Sequence, residues 1–202
     1  MSTQTLSHPD NLPPNAFTQA ALEWLPWLEP LPEAELTDRH RAGLVDAARA
    51  KSPYFMLLAR DPDILGAHTR TDKDIFYNPD AGLPRAEREL SAAATSRFNG
   101  CIYCASVHAR FASHFSPRSD DLQRLLDQGV GASLDPRWDA IVAASVALSS
   151  TPIAFGPPHV QALRNTGLDD LAISDVIHGA AFFNWANRLM LSLGEPHASS
   201  ND

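Results

Sequence analysis

The sequence has few cysteines, no basic cluster and no long apolar stretch. Only two cysteines occur among 202 residues, so a framework of several disulfides is excluded. Aspartate and glutamate (24) outnumber lysine and arginine (16), which gives a formal net charge of −8. An acidic chain without a basic patch lacks the surface that nucleic acids require. No run of about 18 apolar residues is present, so we expect neither a nucleic acid nor a membrane as a partner.

Several motifs are also missing. The sequence contains no glycine-rich phosphate-binding loop and no G-x-S-x-G nucleophile motif. Its polar first ten residues lack the charged-then-apolar layout of a secretory signal peptide. We therefore expect a cytoplasmic protein. In that compartment thiols are kept reduced, and a pair of cysteines is more often catalytic or metal-binding than structural.

The apolar residues favour helices. Alanine and leucine dominate them, whereas the β-branched valine and isoleucine are few. Hydrophobic residues make up 44% of the chain, which is enough for one compact core. Three helix starts place a capping residue before a proline, namely Ser52-Pro53, Asp61-Pro62 and Asp135-Pro136. The sequence predicts an all-α fold of about eight to ten helices.

The chain divides into one domain and two polar ends. Residues 1–14 and 195–202 are predicted to be disordered because they are polar and, at the N-terminus, rich in proline. Residues 15–194 are predicted to form a single helical domain. Within it, residues 15–80 form an N-terminal arm and the first helices, and residues 84–194 form the motif-bearing core.

The N-terminal arm is rich in aromatic residues and interrupted by prolines. The prolines limit any helix there to a short one, predicted over residues 16–25. The arm is expected either to pack on its own core or to wrap around a neighbouring subunit.

Candidate catalytic residues are concentrated around the two cysteines. Cys101 and Cys104 form a C-x-x-C pair, and His108 follows four residues after the second cysteine. Asn99 is predicted to cap the helix that carries them, so that its first turn favours thiolates. Cys101, Cys104 and His108 then share one helical face, where the histidine can exchange a proton with a thiol. Glu89 precedes this helix and is a candidate fourth member.

The same residues permit three interpretations. The first is a redox-active dithiol with an acid–base histidine. The second is a metal site, in which Cys101, Cys104 and His108 supply three ligands and Glu89 a fourth, although no second ligand pair completes a closed structural site. The third is that both cysteines are merely buried small apolar residues.

A family resemblance supports the redox interpretation. The pattern E-x11-C-x-x-C-x3-H, with REL at residues 88–90 and NGCIYC at 99–104, resembles the signature of the alkylhydroperoxidase D (AhpD)-like proteins. These belong to the carboxymuconolactone decarboxylase-like superfamily, whose decarboxylases lack the cysteine pair. FFNWANRL at residues 182–189 is similar to a segment of the longer peroxidase-related members.

The resemblance implies an AhpD-like helical fold, a homo-oligomer and a thiol peroxidase without cofactor or metal. It implies that Cys104 attacks a peroxide, that Cys101 resolves the sulfenic acid to a disulfide, and that His108 and Glu89 relay protons. An external dithiol or protein reductant would then regenerate the thiols. The residues alone do not order the cysteines, because the helix dipole favours Cys101 and the histidine favours Cys104.

One position departs from the family pattern. Tyr103 precedes the second cysteine, where the characterised peroxidases carry a histidine, and a tyrosine with a pKa of about 10 is a poor base at neutral pH. Tyr103 and Asn99 are expected beside the reacting groups in supporting roles. Asn184, Asn187 and Arg188 form a polar stripe on the last helix, which is predicted to be a packing seam, a subunit interface or a support for the dithiol. His68 is expected at the surface or between helices.

Two other functions remain open from the sequence. One is a lyase or isomerase that acts on a small organic acid through His108 and Glu89, as in the decarboxylase branch. The other is a non-enzymatic redox sensor or thiol–disulfide module.

Overall fold

The computed structural model describes residues 5–198, and in this range the chain forms nine α-helices and one two-stranded sheet. The predicted all-α class and helix number are confirmed. The elements are β1 Leu22–Pro26, α1 Asp38–Leu44, α2 Pro53–Leu58, α3 Pro62–Tyr77, α4 Arg85–Asn99, α5 Ile102–His114, α6 Ser119–Gln128, α7 Pro136–Ser149, α8 Pro157–Asn165, α9 Asp170–Leu193 and β2 Gly194–Ala198. Two short 3-10 helices, Glu33–Glu35 and Ala47–Lys51, flank α1.

The helices begin where local capping signals place them. The side chain of Asp61 caps α3, that of Asp135 caps α7 and that of Asp169 caps α9, each by accepting a backbone N–H of the first turn. Proline occupies the first position of α2, α3 and α7. Within residues 5–198, no helix combines the length and the hydropathy that crossing a bilayer requires.

Helix α4 lies at the centre of the fold and packs against α5, α7 and α9. Every residue from 86 to 96 is buried, and most of them are small. The Ser91 hydroxyl lies 3.0 Å from that of Ser145 on α7 and donates to the Val176 carbonyl on α9 at 3.1 Å. A Cβ added at Gly179 would lie 3.2 Å from the Ser91 hydroxyl. The small side chains therefore let three helices approach one another closely.

The buried apolar residues form three clusters. The largest joins α4 to α9 through leucines and alanines, and a small one lies among α1, α2 and α3. The remaining cluster contains both cysteines together with the aromatic residues Trp24, Tyr54, Phe76, Phe182 and Phe183. The thiols therefore lie within an aromatic part of the interior.

The arm contains a strand where the sequence predicts a helix over residues 16–25. Strand β1 pairs antiparallel with β2, and Trp24 lies opposite Pro196. The prediction was wrong because prolines in the arm block a helix, while the pairing partner of β1 lies at the other end of the chain. For the same reason residues 195–198, predicted to be disordered, form most of β2.

The chain before β1 also makes specific contacts. The Leu6 N–H donates to the Trp27 carbonyl at 2.8 Å, and the Asn11 amide donates to Glu195 at 2.8 Å. The expectation of disorder thus differs from the structure over residues 5–14. The predicted disorder of residues 1–4 and 199–202 lies outside the described residues.

We expect Gly194→Ala to destabilise the protein. An added Cβ would lie 2.3 Å from the Leu25 carbonyl oxygen and 2.4 Å from the Trp24 ring, so the sheet would have to shift. Overpacking of this kind costs about 1–3 kcal/mol of unfolding free energy, which urea denaturation measures. The control is Gly131→Ala, because no atom of the described chain lies within 4 Å of a Cβ at that position. Equal unfolding midpoints for the two variants would contradict the prediction.

Candidate active site

The cysteines are positioned by the sharp turn between α4 and α5. Gly100 ends α4 in the left-handed conformation, with φ at 81°, which favours glycine. The N–H groups of Gly100 and Cys101 both donate to the Ser96 carbonyl. Cys101 then occupies the cap position of α5. The prediction that Asn99 caps this helix was wrong, because α4 continues through Asn99 before the glycine turn.

The two sulfur atoms are close to each other and shielded from solvent. Cys101 Sγ lies 2.8 Å from Cys104 Sγ, and both thiols are free. A disulfide has a sulfur–sulfur distance of about 2.05 Å, so closing one requires only a small side-chain movement. The structure thus brings the predicted pair together at the start of α5.

Burial governs the ionisation of Cys104. It raises the pKa of the Cys104 thiol well above its usual range, and hydrogen bonding between this thiol and Cys101 raises it further. The side-chain amide of Asn187 acts in the opposite direction and lowers this pKa. The prediction that the helix start favours a thiolate therefore fails for Cys104, because desolvation outweighs the helix dipole.

A buried amide network supports the dithiol. The Asn99 amide donates to the side-chain oxygens of Asn184 and Asn187, both at 3.1 Å. Asn187 is fully buried, and its amide donates to the Ser96 hydroxyl at 3.0 Å. Asn187 therefore belongs to a seam between α4 and α9 and also acts on Cys104. Asn99 lies beside the site as predicted, but its side chain contacts Asn184 and Asn187 on α9 and not the thiols directly.

The predicted acid–base pair is hydrogen-bonded. His108 Nδ1 lies 2.5 Å from Glu89 Oε2, and Glu89 has no solvent exposure. Arg85 Nε donates to the other oxygen of the carboxylate at 2.6 Å. Phe76 and Phe183 flank the imidazole, with ring centroids at 5.2 and 4.1 Å. Because an ionised carboxylate only accepts hydrogen bonds, Nδ1 carries a proton and Nε2 remains for chemistry.

Cys104 and His108 line one cavity of about 200 Å³. Its wall is largely apolar and includes Phe55, Phe111, Phe182, Phe183, Val107, Ala186 and Met190. Tyr103 contributes to the same wall, and burial raises the pKa of its phenol, so it does not act as a base. Cys101 lines a neighbouring cavity of about 210 Å³ instead. The two cysteines therefore line different cavities.

Two residues of this cavity were not assigned to the site from the sequence. Tyr54, on α2, and His68, on α3, are both buried and line the cavity beside Cys104. His68 does lie between helices, as expected, but neither residue has a sequence spacing that links it to the motif. Only their three-dimensional position identifies them.

The geometry gives no support to a metal site. Within residues 5–198, no group of three or more histidine, cysteine, aspartate or glutamate side chains is arranged to hold a metal ion. Both oxygens of Glu89 are already engaged, by Arg85 and His108.

Comparison with known proteins gives a match to the segment that carries this site. The model of the carboxymuconolactone decarboxylase family matches residues 62–147, a segment that includes Glu89, both cysteines and His108. Over these residues the chain is therefore similar to proteins of the carboxymuconolactone decarboxylase family. No curated protein matches it in sequence.

Solved structures share the helical fold of this chain. An AhpD-core, peroxidase-related protein from Ralstonia eutropha JMP134 is 25% identical, with a TM-score of 0.69 over 81% of this chain and 88% of that one. A peroxidase-related protein from Silicibacter sp. TM1040 is 22% identical, with a TM-score of 0.66 over 86% and 90%. The debrominase Bmp8 is 17% identical, with a TM-score of 0.66 over 81% and 88%. The same fold thus occurs in proteins described by different activities.

We predict that Asn187→Ala makes Cys104 less acidic. The Asn187 amide lowers the Cys104 pKa, so its loss raises that pKa and moves the onset of alkylation to higher pH. The measurement is the pH dependence of iodoacetamide alkylation in a Cys101→Ala background, where Cys104 is the single thiol. Below the midpoint, the variant should react more slowly at any given pH.

The matched control is Asn184→Ala. Asn184 also accepts a hydrogen bond from Asn99 but is not among the groups that act most strongly on the Cys104 pKa. A midpoint in Asn187→Ala that equals the control, or lies below it, would contradict the assignment.

Proposed function

We propose that the protein is a cysteine-dependent peroxidase that reduces organic hydroperoxides or hydrogen peroxide. One observation carries the proposal. Cys104 opens on a cavity that it shares with the Glu89–His108 pair, while its sulfur lies 2.8 Å from that of Cys101. A nucleophile, a proton acceptor and a resolving thiol are thereby available at one point.

In the first step, His108 Nε2 takes the Cys104 proton, and the new thiolate attacks the outer oxygen of R–O–O–H. The S–O bond forms and the O–O bond breaks, so sulfur is oxidised by two electrons and the peroxide is reduced. The departing alkoxide receives the proton held by His108 and leaves as R–OH. Glu89 stabilises the imidazolium during this transfer.

In the second step, Cys101 attacks the Cys104 sulfenic acid, which yields a disulfide and water. The short distance between the sulfurs favours this step over further oxidation. An external dithiol, supplied as a small molecule or a protein, then reduces the disulfide by thiol–disulfide exchange. The proposed cycle requires no cofactor. Homo-oligomeric assembly and a cytoplasmic location stay predictions from the sequence.

The apolar wall of the cavity favours an organic substrate. Phenylalanine, valine, alanine and methionine side chains surround the space in front of Cys104. The carbon substituent of an organic hydroperoxide can pack against these side chains, whereas hydrogen peroxide has no such substituent.

We expect catalytic consumption of cumene hydroperoxide by the wild type in excess dithiothreitol. Cys104→Ser should abolish it. In the absence of reductant, one equivalent of peroxide should remove about 2 Da from the wild type as the disulfide forms, and add about 16 Da to Cys101→Ser as the sulfenic acid forms. Reductant consumption and intact mass are the measurements.

Other outcomes would contradict the proposal. Disulfide formation without turnover would indicate a redox sensor. Absence of both turnover and disulfide would rule out the peroxidase function. Activity on a small organic acid that survives Cys101→Ser would then favour the lyase function.

We further predict that kcat/KM is higher for cumene hydroperoxide than for hydrogen peroxide by roughly ten- to a hundredfold, because the substituent buries apolar area in the cavity. Steady-state kinetics with both substrates under the same reductant measure this ratio. Equal values, or a preference for hydrogen peroxide, would show that the cavity wall does not select the substrate.

A further inference from the structure

A second polar pair lies in the wall of the Cys104 cavity. The Tyr54 hydroxyl on α2 lies 3.4 Å from His68 Nε2 on α3. Both side chains are buried, with 8% and 4% of their surface exposed, and both line the cavity. The mechanism described above leaves both of them without a role.

His68 is held as a neutral ring. Phe55, Phe182 and Trp185 surround it, with ring centroids at 6.2, 4.9 and 5.2 Å. Burial lowers the pKa of His68 to about 4, so the ring is uncharged at neutral pH. The charges of Asp72 and Arg49, which pair with each other at 2.5 Å, act on the pKa of the ring in opposite directions.

The hydrogen bonding of His68 determines which acceptor the Tyr54 hydroxyl can donate to. His68 Nδ1 is buried and has no partner within residues 5–198. A buried N–H without an acceptor is rarer than an unsatisfied acceptor, so the ring proton belongs on Nε2. Nε2–H then donates to the Tyr54 oxygen, and the Tyr54 O–H is left to donate elsewhere. Because Tyr54 lines the cavity, a molecule bound there can accept this hydrogen bond.

Tyr54 keeps its proton next to the thiols. Burial raises the pKa of its phenol well above the usual range, and negative charge on Cys104 or Cys101, when either thiol is ionised, raises it further. The side chain is therefore a neutral hydrogen-bond donor in the same apolar cluster as both sulfurs.

Cleavage of an O–O bond needs such a donor. The thiolate attacks in line with the bond, so the departing oxygen moves away from the sulfur as negative charge develops on it. His108 lies on α5, the helix that carries Cys104, whereas Tyr54 projects from α2. A donor on a different element can stabilise the charge on the departing oxygen as it develops, before His108 has passed on the proton that it took from the sulfur.

We propose that Tyr54 is a further catalytic residue, whose hydroxyl donates a hydrogen bond to the departing oxygen of the hydroperoxide, and that His68 is a positioning residue that orients this hydroxyl. The proposal rests on the peroxidase function. In the balanced step, the thiol proton passes through His108 to the alkoxide, and Tyr54 keeps its own proton.

The test compares two oxidants in Tyr54→Phe. Cumene hydroperoxide releases a strongly basic alkoxide, whereas peracetic acid releases a carboxylate that needs little stabilisation. Loss of one donor to developing charge costs about 10²-fold in rate in other enzymes, and we expect a loss of at least about tenfold with cumene hydroperoxide. With peracetic acid the loss should stay below about threefold. Stopped-flow oxidation of Cys104 gives both rates.

Two controls separate chemistry from folding. Thr71→Val removes a hydroxyl from an exposed residue of α3 that does not line the Cys104 cavity, and it should leave both rates unchanged. Iodoacetamide alkylation of Cys104 in a Cys101→Ala background should proceed at the same rate with and without the Tyr54→Phe substitution, because departing iodide needs no proton.

The positioning role of His68 is tested in the same assay. His68→Leu removes the N–H and should lower the ratio of the cumene hydroperoxide rate to the peracetic acid rate. His68→Gln retains an N–H donor near the Nε2 position and should restore most of that ratio. Equal ratios in His68→Leu and the wild type would overturn the positioning role.

The outcomes distinguish the two proposals. A wild type that does not reduce any hydroperoxide overturns the peroxidase function itself. An active wild type with an unchanged Tyr54→Phe rate overturns only the role of Tyr54. Equal losses with both oxidants in Tyr54→Phe also overturn that role, since they would indicate a structural defect.

Discussion

The hydrogen bond between Glu89 and His108 is the constraint on which the centre of the molecule depends. A carboxylate without solvent exposure is costly unless it is paired, and Glu89 is paired by Arg85 within α4 and by His108 on α5. The bond therefore links the two helices that carry the site. It also leaves the other imidazole nitrogen, Nε2, free for chemistry. The same hydrogen bond thus compensates the buried carboxylate and orients the imidazole for the proposed chemistry.

The environment of the thiols follows from the same packing. Helices that lie close around α4 exclude water from Cys104, and exclusion of water keeps the sulfur protonated in the resting protein. In the proposed mechanism, a thiolate forms only when His108 accepts the proton, next to the cavity. Because the thiolate is the form that oxidants attack, a protonated and buried sulfur is protected while the cavity is empty.

The parts of the fold that were predicted correctly depend on local signals. A capping residue before a proline defines the start of α3 and of α7, and the C-x-x-C-x3-H spacing places three side chains on one helix because helical periodicity is fixed. The cap of α5 was predicted at Asn99, two residues before its actual position at Cys101. The asparagine and the following glycine carry competing signals there, and the positive φ of the glycine decides between them.

The parts that were missed depend on residues far apart in the chain. Strand β1 forms only because β2 pairs with it from the other end of the sequence. The pKa of Cys104 depends on burial by several helices, whereas the prediction considered the dipole of one. Tyr54 and His68 reach the cavity because α2, α3 and α9 all contribute to its wall, which no spacing in the sequence encodes.

The small sheet also gives the protein an intrinsic optical reporter. Strand β1 places the indole of Trp24 in the same apolar cluster as Cys101 and Cys104, and the indole is shielded from solvent. Disulfides quench the emission of a neighbouring indole more strongly than thiols do. Oxidation and reduction of the dithiol can therefore be followed in real time by tryptophan fluorescence, without a label and without a coupled enzyme.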